Sequence, residues 1–248
     1  MKSLIQADLI RILRKPTYRI TLLLALLLTL SVAVRTRFNV WNGYAYASNQ
    51  YSMMNLVMDL IMGVLIFISV YADEFTSNSM QTLIGRGISR FKLLLAKMTD
   101  SIIITMISYG AYILAVLLIG FIMGAGMGSG EVEFLLSSAL AGAVKTIGFG
   151  AIAMIVLYGT KNVTFATLTD IFLLAAADIV MDNFKKIPMI KYLHLEQRVF
   201  SGAVDAAKAG LMLGNKTALF TILWELLKIC VLCLIIGYAL FKNKELDF

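Results

Sequence analysis

Residues 71–97 read YADEFTSNSMQTLIGRGISRFKLLLAK. On each side lies an apolar run of about 20 residues, the length a helix needs to cross a bilayer. Between the runs sit an acid pair, Asp73 and Glu74, and four cations, Arg86, Arg90, Lys92 and Lys97. Residues 76–84 have the make-up of a short polar helix, with Thr76 or Ser77 placed to cap its first turn. Gly85 and Gly87 stop that helix and turn the chain back. If the flanking runs span a membrane, this stretch is a structured loop on one face, and the rest of the chain can be read outward from it.

The composition favours that reading. The 248 residues are 60% hydrophobic and 15% charged, against about 45–50% and about 25% in soluble domains. A water-soluble core cannot absorb so much apolar sequence. Six apolar runs can be drawn, at 18–34, 53–71, 101–123, 140–158, 163–181 and 218–241. They predict an all-α membrane protein: an amphipathic interfacial helix at 1–17, then a six-span transmembrane domain at 18–248. The net charge of +7 is assigned to topology and to anionic lipid headgroups. The aromatic residues lie in or beside the apolar runs, so no nucleic-acid partner is expected.

At 100° per residue, Met1, Ile5, Leu9, Ile12 and Leu13 share one side of the first segment, and Ser3, Gln6, Arg11, Arg14 and Lys15 fall mostly opposite. Such a basic amphipathic helix lies in the headgroup plane, and Pro16 ends it. A basic region before an apolar core also resembles a secretory signal. Arg35 and Arg37 follow that core in place of a small-residue site, so a retained first span is expected. With the N-terminus in the cytoplasm, twelve cations fall inside and eight outside, while Lys145 and Lys228 fall within spans. The bias is clearest in the first half, which usually dominates. Both termini are therefore expected in the cytoplasm, with the multi-pass chain in the cell membrane.

The quoted loop resembles the signature region of ABC-2 type transporter permeases, the membrane subunits of a class of ATP-driven exporters. Glu74 matches that family's acid. Asn78 and Ser79 stand where Gly-Thr is usual. Gly87, Ile88, Ser89 and Arg90 stand where Pro-x-Ser-Arg is usual, and Ala96 and Lys97 where Gly-Lys is usual. The resemblance implies a cytoplasmic coupling helix within residues 72–100. It also implies an outer helical hairpin at 182–217, with Pro188 and Gly214 near its ends. Asp73, Glu74, Asn78, Ser79, Arg86, Arg90 and Lys97 are the expected ATPase-coupling residues. The implied partners are cytoplasmic ATPase subunits, a second permease copy or a non-identical permease, and an amphipathic peptide, bacteriocin or antibiotic as substrate. The chain has no G-x-x-x-x-G-K-S/T phosphate loop, and GFIMGAGMGSG at 120–130 lacks the Lys-Ser/Thr pair that such a loop needs. No enzyme activity and no cofactor are expected on this chain, with ATP and Mg on the partner ATPase.

Charges inside spans are costly and face a bundle interior or water. Asp59, Lys145, Asp178, Glu225 and Lys228 fall toward the outer leaflet, and Asp170 nearer the inner one. Asp59, Asp178, Glu225 and Lys228 form the candidate substrate path, with Glu225 and Lys228 spaced to pair on one helix. The other reading of these charges is ion pairs that fix helix register. Asp59, Asp170 and Glu225 also leave open an ion-coupled secondary carrier or a substrate-capturing membrane subunit. Cys230 and Cys233 read as small apolar residues. His194 lacks ligands at metal spacing, so no metal site is expected. Gly120, Gly124 and Gly128 fit either a close helix contact or a flexible turn.

Overall fold

A computed structural model of the chain describes residues 2–39, 41–76, 79–184, 199–215 and 217–242. All regular elements among them are helices. Helix α1 (Lys2–Arg14) is followed directly by α2 (Pro16–Asn39). Pro16 opens α2 at the first helical position, where its missing N–H leaves no hydrogen bond unmade. Helix α3 runs Gly43–Phe75, with Asn42 capping it by accepting the Ala45 N–H at 2.7 Å. The short helix α4 (Ser79–Gly85) and α5 (Arg90–Ile122) come next. They are followed by α6 (Ser129–Thr160), α7 (Val163–Phe184), α8 (Phe200–Met212) and α9 (Thr217–Lys242). Five of these, α2, α3, α5, α6 and α9, are long and apolar enough to cross a membrane.

The long helices alternate in direction. One end of the bundle, the N-terminal face, carries α1, α4 and the end of α9, and the opposite face carries the turns before α3 and α6. Helix α6 is the hub. It packs on α3, α5, α7, α8 and α9, and 72% of its apolar window is buried, against 17% in α9. The outward faces of α2 and α9 expose Leu23, Leu27, Leu223 and Ile235, as lipid contact requires.

Several helices run beyond the apolar stretches drawn from hydropathy. Helix α5 begins at Arg90 rather than near 101, and α3 at Gly43 rather than near 53. Hydropathy stops where side chains turn polar, whereas the backbone ladder continues wherever those polar groups find partners. Helix α3 also contains two wide-turn stretches, Asn55–Met62 and Ile68–Ala72. Such π segments gather at functional sites, and Asp59 lies in the first.

The coupling helix was expected over 76–84, and α4 occupies Ser79–Gly85. Schellman-type bonds close it: Gly87 N–H to the Ile84 carbonyl and Ile88 N–H to that of Leu83, with Gly87 at φ +87°. Of the hairpin expected at 182–217, the segment 185–198, which contains Pro188 and His194, lies outside the described residues. Helix α8 fills the later part and runs antiparallel to α6. The Phe200 ring sits against Gly148 near the middle of α6, and Gly214 at φ +76° ends the segment. The glycine series divides by task. Gly120 faces the Tyr46 ring, where a Cβ would come within 2.8 Å, whereas Gly124 and Gly126, at φ +68° and +66°, form the turn. Cys230 and Cys233 are buried and unbridged in α9.

Candidate functional site

Two polar constellations lie inside this apolar bundle, one near each face. The first ties α1, α3 and α5 together. Lys97, on the second turn of α5, is fully buried, as are Glu74 at the end of α3 and Asp100 one turn along α5. The Lys97 Nζ donates to Asp8 Oδ2 of α1 at 2.5 Å and to Glu74 Oε1. Asp100 Oδ2 lies 3.8 Å from the same ammonium. Arg11 of α1 donates to Glu74 Oε1 at 2.8 Å, and its guanidinium is 3.6 Å from Asp8 Oδ1. A second strap joins Lys15 to Asp73 and to Ser69 Oγ. In a dry interior such pairs set geometry strongly, because a single vacancy leaves a buried charge.

The expected coupling residues therefore divide. Glu74 and Lys97 are enclosed and bind each other, so neither presents its charge at a docking surface. Asp73 is held by Lys15. Arg90 reaches across to α9, where its Nη1 donates to the Phe241 and Lys242 carbonyls at 2.6 and 2.9 Å and its guanidinium stacks 5.3 Å from the Phe241 ring. These carbonyls are among the last four of a helix, which have no partner within it, and a cation suits that end of the dipole. Arg86 is exposed beside α4. Ser79 is the first residue of α4, and Asn78 lies outside the described residues. Asp8 was missed from sequence because it is an acid on the otherwise apolar side of α1. Its signal was the unbalanced cation Lys97 ahead of an apolar run. Arg90→Met is expected to lower stability by about 1.5–3 kcal/mol and to speed amide exchange in the last turn of α9, read by hydrogen exchange. Unchanged exchange there would contradict the capping role.

The second constellation is a narrow polar cleft between α3, α6 and α8. Tyr109 of α5 donates to Asp59 and lies 2.9 Å from Thr146 Oγ1. Gly142 makes room for this: a Cβ there would meet Asp59 Oδ1 at 2.8 Å. Lys145 pairs with Asp205 of α8 at 2.9 Å, and Lys208 lies 4.1 Å from the Tyr51 ring centre. Asn55 and Ser138 complete the lining. Of the expected path residues, Asp59 is here. Glu225 and Lys228 are not brought to it. They pair with each other at 2.6 Å on α9, with the Glu225 side chain largely buried and Lys228 half-exposed beside Val231, Leu232 and Ile235. Asp178 lies on α7, and its side chain is outside the described residues. Asp205 and Lys208 were missed because they stand outside the apolar runs and counted only as loop charge. Their i,i+3 spacing was the available signal.

Residues 16–246 match the sequence profile of a family described as Protein of unknown function (DUF2705). The chain belongs to the DUF2705 family. No curated protein matches it. Within this DUF2705 chain the matched region holds the whole polar cleft, together with Glu74, Lys97 and Asp100. Helix α1, which supplies Asp8 and Arg11, precedes it.

Proposed function

We propose that this chain is the permease subunit of an ATP-driven exporter of amphipathic peptides, bacteriocins or antibiotics. A separate cytoplasmic ATPase, which binds ATP and Mg, drives it, and a second permease, identical or not, completes the path. In this reading α2, α3, α5, α6, α7 and α9 are the six spans, the chain lies in the cell membrane, and the N-terminal face is cytoplasmic. The observation that carries the reading is the placement of α4. This short helix stands on the N-terminal face beside the end of α3, where buried ion pairs lock α1, α3 and α5 into one unit. Arg90 extends that unit to the end of α9. A push on α4 from a closing ATPase dimer is thereby shared by four helices, as rigid-body switching requires. The contact with the ATPase falls on the exposed Thr82 and Arg86, while Glu74 and Lys97 transmit.

Arg86→Glu combined with Thr82→Arg is expected to cut ATP-dependent export in vesicles at least tenfold while the chain stays folded and its ATPase still turns over. Full export in that variant would sink the reading. A second reading, an ion-coupled carrier, rests on Asp170 of α7. Its side chain is buried, and neither oxygen finds a hydrogen-bond donor among the described residues. Intramembrane carboxylates of this kind mark ion pathways. Transport that stops with an ionophore and continues without ATP would select it.

A further inference from the structure

The polar cleft is the deep end of a longer groove. Along α3, Tyr44, Ser48, Tyr51, Asn55 and Asp59 form one stripe at helical spacing, roughly 22 Å long at 1.5 Å per residue. Along α6, Glu131, Phe134, Ser138 and Lys145 form the facing stripe. Along α8, Asp205, Lys208 and Met212 close the third side. The outer part is a cavity of about 300 Å³ between Tyr44, Phe134 and Met212, with Glu131 at its edge. That volume is at the lower end of the range of small-ligand sites.

The two parts meet at one corner. The Tyr51 and Phe134 rings stand edge to face at 5.2 Å. The Lys208 ammonium lies over both, 4.1 and 5.5 Å from their centres. The chain's own lysine therefore demonstrates what this corner accepts: an ammonium on aromatic faces. Just beyond it the Ser138 hydroxyl is buried, lines the cleft and finds no hydrogen-bond partner among the described residues. Three carboxylates, Asp59, Glu131 and Asp205, line the groove against two ammonium groups, Lys145 and Lys208. The lining is thus apolar and aromatic outside, polar inside, and net negative.

We propose that this groove binds an amphipathic chain bearing an ammonium group. The apolar part lies in the cavity between Tyr44, Phe134 and Met212, and the ammonium displaces Lys208 at the Tyr51–Phe134 corner, between Glu131 and Asp205. This deepens the export reading, on which its physiological meaning rests, by naming the substrate chemistry and its place. Lys208 then acts as a resident plug that the incoming cation must replace.

The test uses the full chain in phosphatidylcholine nanodiscs, without ATPase or ATP, and a dansyl-labelled Leu-Lys peptide as probe. Saturable binding above that of empty discs is expected, at least tenfold weaker when Glu replaces each Lys of the peptide. Lys208→Met should tighten binding about fivefold, in line with a cation–π seat left open, which mere loss of structure would not do. Ser48→Trp, which fills the cavity, should weaken it at least tenfold. Equal binding of the Glu peptide, or a Lys208→Met chain that binds no tighter, would overturn the proposal. Both comparisons hold even if Ser48→Trp fails to fold. Displacement by dodecylamine would extend the site to ammonium amphiphiles in general, and displacement by unlabelled peptide alone would restrict it to peptides; displacement by neither would overturn it. Peptide binding by a chain that captures no ATPase in native membranes would fail the export reading alone, and an ATPase captured there with no peptide binding in the discs would fail this inference alone.

Discussion

Replacing Lys97 with alanine is expected to remove about 3–5 kcal/mol of folding stability, the usual result of deleting one member of a buried ion cluster. The ammonium is fully enclosed and holds Asp8 and Glu74 directly, with Asp100 close by. Without it, three carboxylates from three helices face one another, with the Arg11 guanidinium beside Glu74 and Asp8. They must then ionise against mutual repulsion or take up protons, and either course loosens α1 from the bundle. Lys97→Met combined with Glu74→Gln and Asp100→Asn should recover most of the loss, because neutral groups of similar volume carry no desolvation debt. Denaturant or thermal unfolding in detergent reads both. A Lys97→Ala chain within about 1 kcal/mol of the parent would show that the cluster is not the clamp described here.

The second large effect is expected at the opposite face. Gly43, at the start of α3, lies against the turn between α5 and α6. A Cβ there would stand 2.8 Å from the Gly126 carbonyl oxygen and 2.9 Å from the Met127 Cα. Both atoms are backbone, so no rotamer change relieves the clash. The same turn is pinned by the Trp41 indole, which donates to the Gly124 carbonyl at 2.8 Å, and the Tyr46 hydroxyl ties α3 to the preceding part of α5 by donating to the Val116 carbonyl at 2.6 Å. Gly43→Val is expected to cost about 3 kcal/mol, the upper part of the usual range for overpacking. It should also free the turn, raising proteolytic cleavage between Met123 and Gly128. Unchanged stability and cleavage would mean that the turn moves aside without penalty.

Much of the fold was legible because the bilayer imposes a simple rule. Apolar runs near 20 residues become helices: five of the six drawn runs fall inside helices of the structure, and the run 101–123 overshoots its helix by one residue, Met123. Their ends were not legible, since Lys97 and Asp100 look like loop residues until Asp8 and Glu74 are known to meet them. Pro16 and Gly87 were readable because backbone geometry alone fixes their roles. The site was legible only in fragments. Asp59 stood out as a charge inside a span. Its neighbours Asp205 and Lys208 did not, because the depth to which α8 descends beside α6 depends on the Phe200–Gly148 contact, which no local pattern encodes. Glu225 and Lys228 misled for the opposite reason. They are charges within a span that satisfy each other on one helix, away from the polar cleft.

The division of labour between a membrane doorway and a separate motor is tested most directly by a photo-cross-linker placed at position 86, beside α4, in native membranes. Capture, from the cytoplasmic side, of a nucleotide-hydrolysing protein that carries its own phosphate-binding loop is expected. Labelling of position 86 by a membrane-impermeant reagent added outside the cell, or capture of no such protein, would contradict it.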